Sequence, residues 1–434
     1  MKVTNNPRAS AVSLLLRCEK QNSYANLALD AYLNKSDMSE ADKRLLTALV
    51  YGVIERKISF EHILSHLTTR PMEKIDNRVK IILYTAFYQL MYFDRVPPHA
   101  VLNEAVAYTK QLCGQSTATY VNAILRTFLR RGIDLCLYTN TLQGDAYLSV
   151  TYSVPRWLVQ LWCNAYGLKK AEGILRSTFS KPRLTLCVNT LKISVEAFLI
   201  MLRDAGMHEV ERTVSPTALL LPSLPLHQIP GFEEGLFYIQ DLSCQVAVEA
   251  LDPKPGDTVL DLCSAPGGKA FKAALMMKNQ GEIHAFDLHE NRLQPVRNTA
   301  ETLGISIIRT QQADGKTIRD DLIETGDCVI CDVPCSGLGV MAKKPDIRNK
   351  KQDEISSLLA TQAAILETGA LYTKKGGKLM YSTCTLNPEE NENITDAFLQ
   401  NHTDFVRIRD IYPHTIFPDA SHDGFFIDVF TKRN

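Results

Sequence analysis

Over the first 133 residues apolar side chains recur three and four positions apart, as in Ala11, Leu14 and Leu15, then Leu45, Leu46, Leu49 and Val50. That is the period of amphipathic helices, and it predicts further helices over 78–93, 98–113 and 117–131. Breakers stand between them at Arg70-Pro71 and Pro97-Pro98, and strand-type alternation is scarce, so this part reads as an all-α bundle. Residues 134–150, with Asn140, Gly144 and Asp145 in a mostly non-periodic stretch, read as a linker. A mixed pattern follows to about residue 240. Pro155 is well placed to open a helix through Trp157, Leu158 and Trp162. Residues 184–188 and 218–221 read as strands, 195–205 as a helix, and 222–236, with three prolines and two glycines, as turns. From there strands and helices alternate. Strands are expected at 258–262, 283–287, 305–310, 328–332, 378–382 and 425–431, and helices over 268–279, 290–303, 352–373 and 389–400. Such alternation predicts an α/β part with a doubly wound, mostly parallel sheet, whose ligands sit beyond the carboxyl ends of the strands. The chain is thus expected to be multi-domain: an all-α part over 1–135, a small α+β part over 145–240 and an α/β part over 241–434.

Composition narrows the classes. At 434 residues, 45% hydrophobic and 22% charged, the chain can bury several cores without disulfides, and wholesale disorder is excluded. Basic and acidic residues balance at 48 each, yet residues 1–133 carry 18 basic and 11 acidic side chains, an excess that the remainder offsets. The excess suits a polyanionic partner or a solvated helical surface equally. No apolar run approaches the length of a membrane span, and the start, MKVTNNPRAS, lacks the pattern of a secretory signal. Eleven cysteines spread over the whole length fit free thiols in a reducing compartment. A cytoplasmic protein is expected.

The first strand of the α/β part runs into Asp261-Leu262-Cys263-Ser264-Ala265-Pro266-Gly267-Gly268-Lys269 and then a helix. Paired glycines let the backbone turn sharply and a ligand approach closely, and the helix start beyond them favours a negative group. Spacing excludes a phosphate-binding P-loop, because Cys263 stands where its first glycine belongs and Ala270 follows Lys269. The dinucleotide fingerprint is absent as well. Asp287 ends the second strand, where a Rossmann-like sheet places an acid on a ribose hydroxyl. Asp314 follows the third strand and Asp332 ends the fourth. Together with Asp261 these acids outline a nucleoside-bearing cofactor that is not held by its phosphates.

Two cysteines lie just past strand ends, Cys335 in Asp332-Val333-Pro334-Cys335 and Cys384 in Ser382-Thr383-Cys384. Neighbouring strands would bring both thiols to one rim. Cys328 and Cys331 have the spacing of a metal pair, but three positions apart on a strand they face opposite ways, and no metal site is expected. Two thiols beside a carboxylate suit methylation of a pyrimidine carbon. C5 of cytosine is a poor nucleophile until something adds to C6, an acid must neutralise the ring at N3, and a base must remove the C5 proton. Nucleophile, acid and base are three roles, and Cys384, Asp332 and Cys335 are three candidates.

The segments DLCSAPGGK, DVPCSGLGV and YSTCTLNPEENE, with the closing His422-Asp423-Gly424-Phe425-Phe426, resemble the motifs of RNA cytosine-C5 methyltransferases of the NOL1/NOP2/Sun family. The resemblance implies a Rossmann-like fold that uses S-adenosylmethionine, Cys384 as the nucleophile and Cys335 as the thiol that assists release. It further implies that the loop Cys263, Ser264, Ala265, Pro266, Gly267, Gly268 and Lys269 passes the methionine moiety. Asp287 would hold the ribose, Asp314 would lie near the adenine, and Asp332 would border cofactor and cytosine. The chain departs from the family at Cys187, where an arginine is usual, which weakens the case for an RNA contact there. Residues 100–106 and 121–126 resemble the NusB fold, an RNA-binding helical bundle. The combination implies 16S ribosomal RNA as the substrate. Nothing in the sequence demands a dimer, and a monomer is expected. Arg8, Arg126, Arg130 and Arg131 are candidate phosphate contacts, and Lys343, Lys344, Arg348, Lys350 and Lys351 are expected to guide RNA past Cys335. The rival readings are the same chemistry on tRNA or another ribosomal site, a non-catalytic RNA-binding protein, and a methyltransferase of proteins or small molecules.

Overall fold

A computed structural model describes residues 6–21, 25–181, 183–408 and 414–434. The first five residues of the start read above therefore lie outside the described residues. The chain divides into two compact units: residues up to Phe179 with Lys344–Asn349, and Ser180–Lys343 with Lys350–Asn434.

Among its described residues the first unit is built of helices joined by turns, with no strand. Its helices are α1 (Pro7–Gln21), α2 (Ala25–Leu33), α3 (Glu40–Leu67), α4 (Asn77–Tyr92), α5 (Pro98–Cys113), α6 (Gln115–Arg131), α7 (Cys136–Thr139), α8 (Gly144–Tyr152), α9 (Arg156–Tyr166) and α10 (Leu168–Ser177). Local chemistry sets several of these ends. Ser39 caps α3 by accepting from the Asp42 amide, and Asp76 caps α4 from the Arg78 amide. Pro97 precedes α5, and Gly114, at φ +87°, ends α5 and starts α6. The apolar stripes converge on a core that includes Leu46, Leu49, Phe60, Phe87 and Phe128. The expected linker over 134–150 is instead largely helical. Asp134 accepts from the Cys136 amide to start α7, and Tyr138 and Leu148 are buried. A helix of four residues is too short to leave a period in the sequence.

The second unit opens with β1 (Leu184–Val188), α11 (Val195–Asp204), β2 (Glu211–Arg212), β3 (Ala218–Leu221) and β4 (Phe237–Ile239). These strands form an antiparallel sheet in the order β2-β3-β1-β4, with Phe198 and Leu202 of α11 in its core. Next come α12 (Leu242–Leu251), β5 (Thr258–Asp261), α13 (Gly268–Met276), β6 (Glu282–Asp287), α14 (Glu290–Leu303), β7 (Ile308–Gln312) and β8 (Gly326–Asp332). The unit closes with α15 (Gln352–Tyr372), β9 (Thr373–Thr383), α16 (Glu392–Asn401), β10 (Phe405–Arg407), β11 (Thr415–Ile416) and β12 (Phe425–Lys432). The large sheet runs β10-β12-β9-β8-β5-β6-β7, with β11 paired to β12. From β7 to β9 it is parallel, as the alternation predicts, and β12 returns antiparallel to β9. Residues of α12, α13 and α14 share one apolar cluster, and residues of α15 and α16 share another. Cys328 lies in the first cluster and Cys331 in the second, as the pleat requires.

Several boundaries differ from the pattern reading. The third strand begins at Ile308 rather than 305, because Gly304 turns left-handed and the Ile305 amide closes α14 on the Ala300 carbonyl. β9 begins at Thr373, directly after α15. α16 begins at Glu392 rather than 389, because Pro388 to Glu390 form a turn in which the Glu390 amide bonds the Asn387 carbonyl.

Candidate active site

β5 delivers Asp261 to the carboxyl rim of the sheet. The turn beyond it is pinned by the Ser264 amide on the Phe286 carbonyl at 2.7 Å. Gly267 then adopts φ +99°, and a Cβ there would stand 2.6 Å from the Phe271 ring. α13 begins at the next residue. Asp261 is fully buried, and burial pushes its carboxyl up to about 7. Ser264 lies near enough to favour the ionised form without completing a hydrogen bond of ordinary geometry. Both Asp261 oxygens, the Ser264 hydroxyl and the Gln240 amide nitrogen thus lack partners, although all are buried. Buried polar atoms are normally satisfied, so this cluster fits a polar ligand group, with a positive donor best matched to Asp261.

The next two acids line the same rim. Asp287, at the end of β6, is buried and pairs with Arg292 at 3.1 Å while accepting from the His289 amide. Asp314, past β7, accepts from the Lys316 amide at 3.0 Å. Leu262, Phe286, Asp314 and Gly315 share a small cavity beside them.

The thiols sit one strand over. β8 and β9 are parallel neighbours with Asp332 opposite Ser382, so the residues that follow leave the sheet side by side. The sulfurs of Cys335 and Cys384 are 3.3 Å apart. Ser382 Oγ donates to Asp332 at 2.8 Å, and Lys269 Nζ pairs with the other Asp332 oxygen at 2.7 Å. Lys269 also approaches Cys244 Sγ at 3.6 Å and lies 5.0 Å from the Phe425 ring centre. Burial opposes its charge, but Asp332 beside it holds the ammonium above the ordinary lysine value. The hydrogen bond to Cys384 raises the Cys335 thiol well above its ordinary range, and burial and Glu390 add to this. Two sulfurs this close share one proton more readily than they both ionise.

Each residue singled out from the sequence can be located on this frame. Asp261, Asp287, Asp314, Asp332, Cys335 and Cys384 all gather at the carboxyl ends of the parallel strands. Lys269 belongs to the same loop, but its side chain runs to Asp332. The charge run beyond Cys335 is a correction. Lys343 is bridged between Asp241 at 2.6 Å and Asp423 at 2.8 Å. Arg348 is buried in the helical unit, where it donates to the Glu55 and Ser153 carbonyls, and Lys350 donates to the Ser336 carbonyl. Only Lys344 and Lys351 of that set are exposed without such a bond. Arg8 is likewise engaged, by Gln89 at 2.6 Å, and Arg131 by the His66 carbonyl, whereas Arg126 and Arg130 are exposed. Cys187 is buried in β1, with Sγ 3.7 Å from Thr217 Oγ1, so its position belongs to the core. The pattern reading missed Glu390, which lies inside a quoted motif, and the Lys343 bridge. Among the described residues no group of three or more potential metal ligands occurs, and no helix is long and apolar enough to cross a membrane.

Three family models match the chain: the NusB family over residues 5–130, the RsmF/B-like ferredoxin-like domain over 154–225, and the 16S rRNA methyltransferase RsmB/F over 248–430. The probable ribosomal RNA small subunit methyltransferase B of Bacillus subtilis (strain 168) is 34% identical, over 98% of both chains. The ribosomal RNA small subunit methyltransferase B of Salmonella arizonae is 33% identical over 100% of both. Among solved structures, that of PH0851 matches 100% of both chains with a TM-score of 0.80 at 25% identity.

Proposed function

We propose that this chain, which belongs to the 16S rRNA methyltransferase RsmB/F family, methylates C5 of a cytosine in 16S ribosomal RNA through a covalent bond between Cys384 and C6. It joins a NusB-family helical domain, a ferredoxin-like domain and a Rossmann-like, S-adenosylmethionine-dependent methyltransferase domain. We assign these parts to 1–135, 145–240 and 241–434, and take the chain to act as a monomer in the cytoplasm.

The observation that carries the reading is the 3.3 Å between the Cys335 and Cys384 sulfurs, on the rim where Lys269 and Ser382 hold Asp332. When bound, S-adenosylmethionine supplies the electrophilic methyl group that C5 takes up. Asp261, the loop from Cys263 to Lys269, Asp287 and Asp314 would hold it. Cys384 adds to C6 as the thiolate, which moves the electrons of the 5,6 double bond toward C5, while the Lys269–Asp332 pair provides the proton that neutralises the ring at N3. Cys335, its own proton passed to solvent, then takes the proton from C5. The electrons left behind restore the double bond and expel Cys384 as thiolate, and N3 returns its proton to the Lys269–Asp332 pair. The base must leave its stack to reach the sulfur, which costs a few kcal/mol and least in a loop or bulge. Arg126, Arg130, Lys344 and Lys351 are exposed and suited to phosphate.

The test is methyl transfer to unmodified 16S and tRNA transcripts that carry tritium at cytosine C5. Methylation of 16S RNA with matched release of tritium is expected. Methylation without tritium release overturns the C5 assignment, and methylation of tRNA alone overturns the substrate.

A further inference from the structure

We propose that Glu390 is the positioning residue for both thiols: its buried carboxylate fastens the loop that carries Cys335 to the loop that carries Cys384 and so fixes the division of labour between the sulfurs. The inference rests on the two-thiol reading above. Glu390 is wholly buried in the turn between β9 and α16. One oxygen accepts from the Ser336 amide at 2.8 Å and from Gln362 Nε2 at 2.9 Å. The other accepts from Ser336 Oγ, from Asn387 Nδ2 at 3.1 Å and, more distantly, from Thr385 Oγ1, which is itself 2.6 Å from Ser336 Oγ. Ser336 directly follows Cys335, and Thr385 directly follows Cys384. One carboxylate thus grips the residue after each thiol.

The choice of residue type argues for more than packing. Only an ionised carboxylate offers about four acceptor sites and no donor, which matches a ring of converging donors. No lysine or arginine pairs with it among the described residues, so its charge is compensated by hydrogen bonds alone. That charge also faces Cys335. After the bond to Cys384 and burial, it is a further cause of the raised Cys335 thiol. Before attack, then, the shared proton is favoured on Cys335, the sulfur that faces Glu390. Once Cys384 is bonded to carbon its influence on Cys335 ends, and Glu390 leaves Cys335 a strong base for the C5 proton.

The experiment uses the full chain with Glu390→Gln and Glu390→Asp. Thermal unfolding and S-adenosylmethionine affinity report the fold, iodoacetamide alkylation of each cysteine against pH reports the sulfurs, and kcat reports turnover. In Glu390→Gln the Cys335 alkylation midpoint should fall by about one pH unit. Its kcat should fall about 100-fold while KM for RNA changes less than about threefold. Glu390→Asp, which keeps the charge but shortens the reach, should hold the high midpoint and still lose kcat. An unchanged Cys335 midpoint, or activity that merely tracks the folded fraction, overturns the proposal. If Glu390→Gln does not fold, Ser336→Ala should still lower kcat about tenfold at unchanged cofactor affinity, and full activity there overturns it equally. Alkylation is read without RNA, so failure of the Cys384–C6 chemistry leaves a separate signature: altered thiols in Glu390→Gln but no adduct in any variant.

Discussion

Asp261 is a carboxylate held away from water with no donor to satisfy it, and its pH behaviour follows from that. Burial raises it from the ordinary value to about 7, so across that interval the folded chain retains a proton that the unfolded chain has lost. This group therefore favours folding below the ordinary carboxylate range, and that contribution fades as pH rises through about 7. A cofactor that brings a positive group prefers the ionised carboxylate. S-adenosylmethionine affinity should accordingly strengthen about five- to tenfold between pH 6 and pH 7.5. Equilibrium dialysis with labelled cofactor reads this directly, and Asp261→Asn should both weaken binding and flatten the profile. Equal wild-type affinity at the two pH values would remove Asp261 from the cofactor site.

At the scale of elements, the site is made by two parallel strands ending together and by loops that touch backbone to backbone. The Gly339 amide bonds the Cys384 carbonyl at 3.0 Å, and the Gly424 amide bonds the Gly339 carbonyl at 2.9 Å. A Cβ on Gly339 would stand 2.1 Å from the Gly424 oxygen and 2.9 Å from the Cys384 oxygen, both backbone atoms with little freedom to yield. Gly339→Ala should thus displace the loop beyond Cys335, lowering kcat at least about tenfold with cofactor affinity retained. Normal turnover in that variant would mean the loop tolerates movement. The strand ends and their cysteines were legible in the sequence because apolar runs mark strands, and the chemistry stands where those runs stop. The fate of the charge run was not. Lys343 finds Asp241 and Asp423 from segments 102 and 80 residues away, and Arg348 finds backbone carbonyls, which leave no trace in composition. Glu390 was hidden for a similar reason: Ser336, after β8, and Gln362, in α15, reach it only through the fold.

Across the whole molecule, net charge is zero while the helical amino-terminal part is basic, so affinity for RNA should depend on a few exposed arginines and not on a general field. Arg126→Glu with Arg130→Glu should weaken RNA binding about tenfold or more and reduce its dependence on salt, with cofactor affinity unchanged. An unaltered salt dependence would move the phosphate contacts elsewhere. The central claim, however, is the division of labour between two sulfurs, and one comparison addresses it: denaturing gel analysis of enzyme–RNA adducts for wild type, Cys335→Ala and Cys384→Ala with 16S RNA and S-adenosylmethionine. The account predicts a stable adduct that accumulates in Cys335→Ala, is scarce in wild type and is absent in Cys384→Ala. An adduct that persists without Cys384, or none in Cys335→Ala while methyl transfer continues, would contradict it.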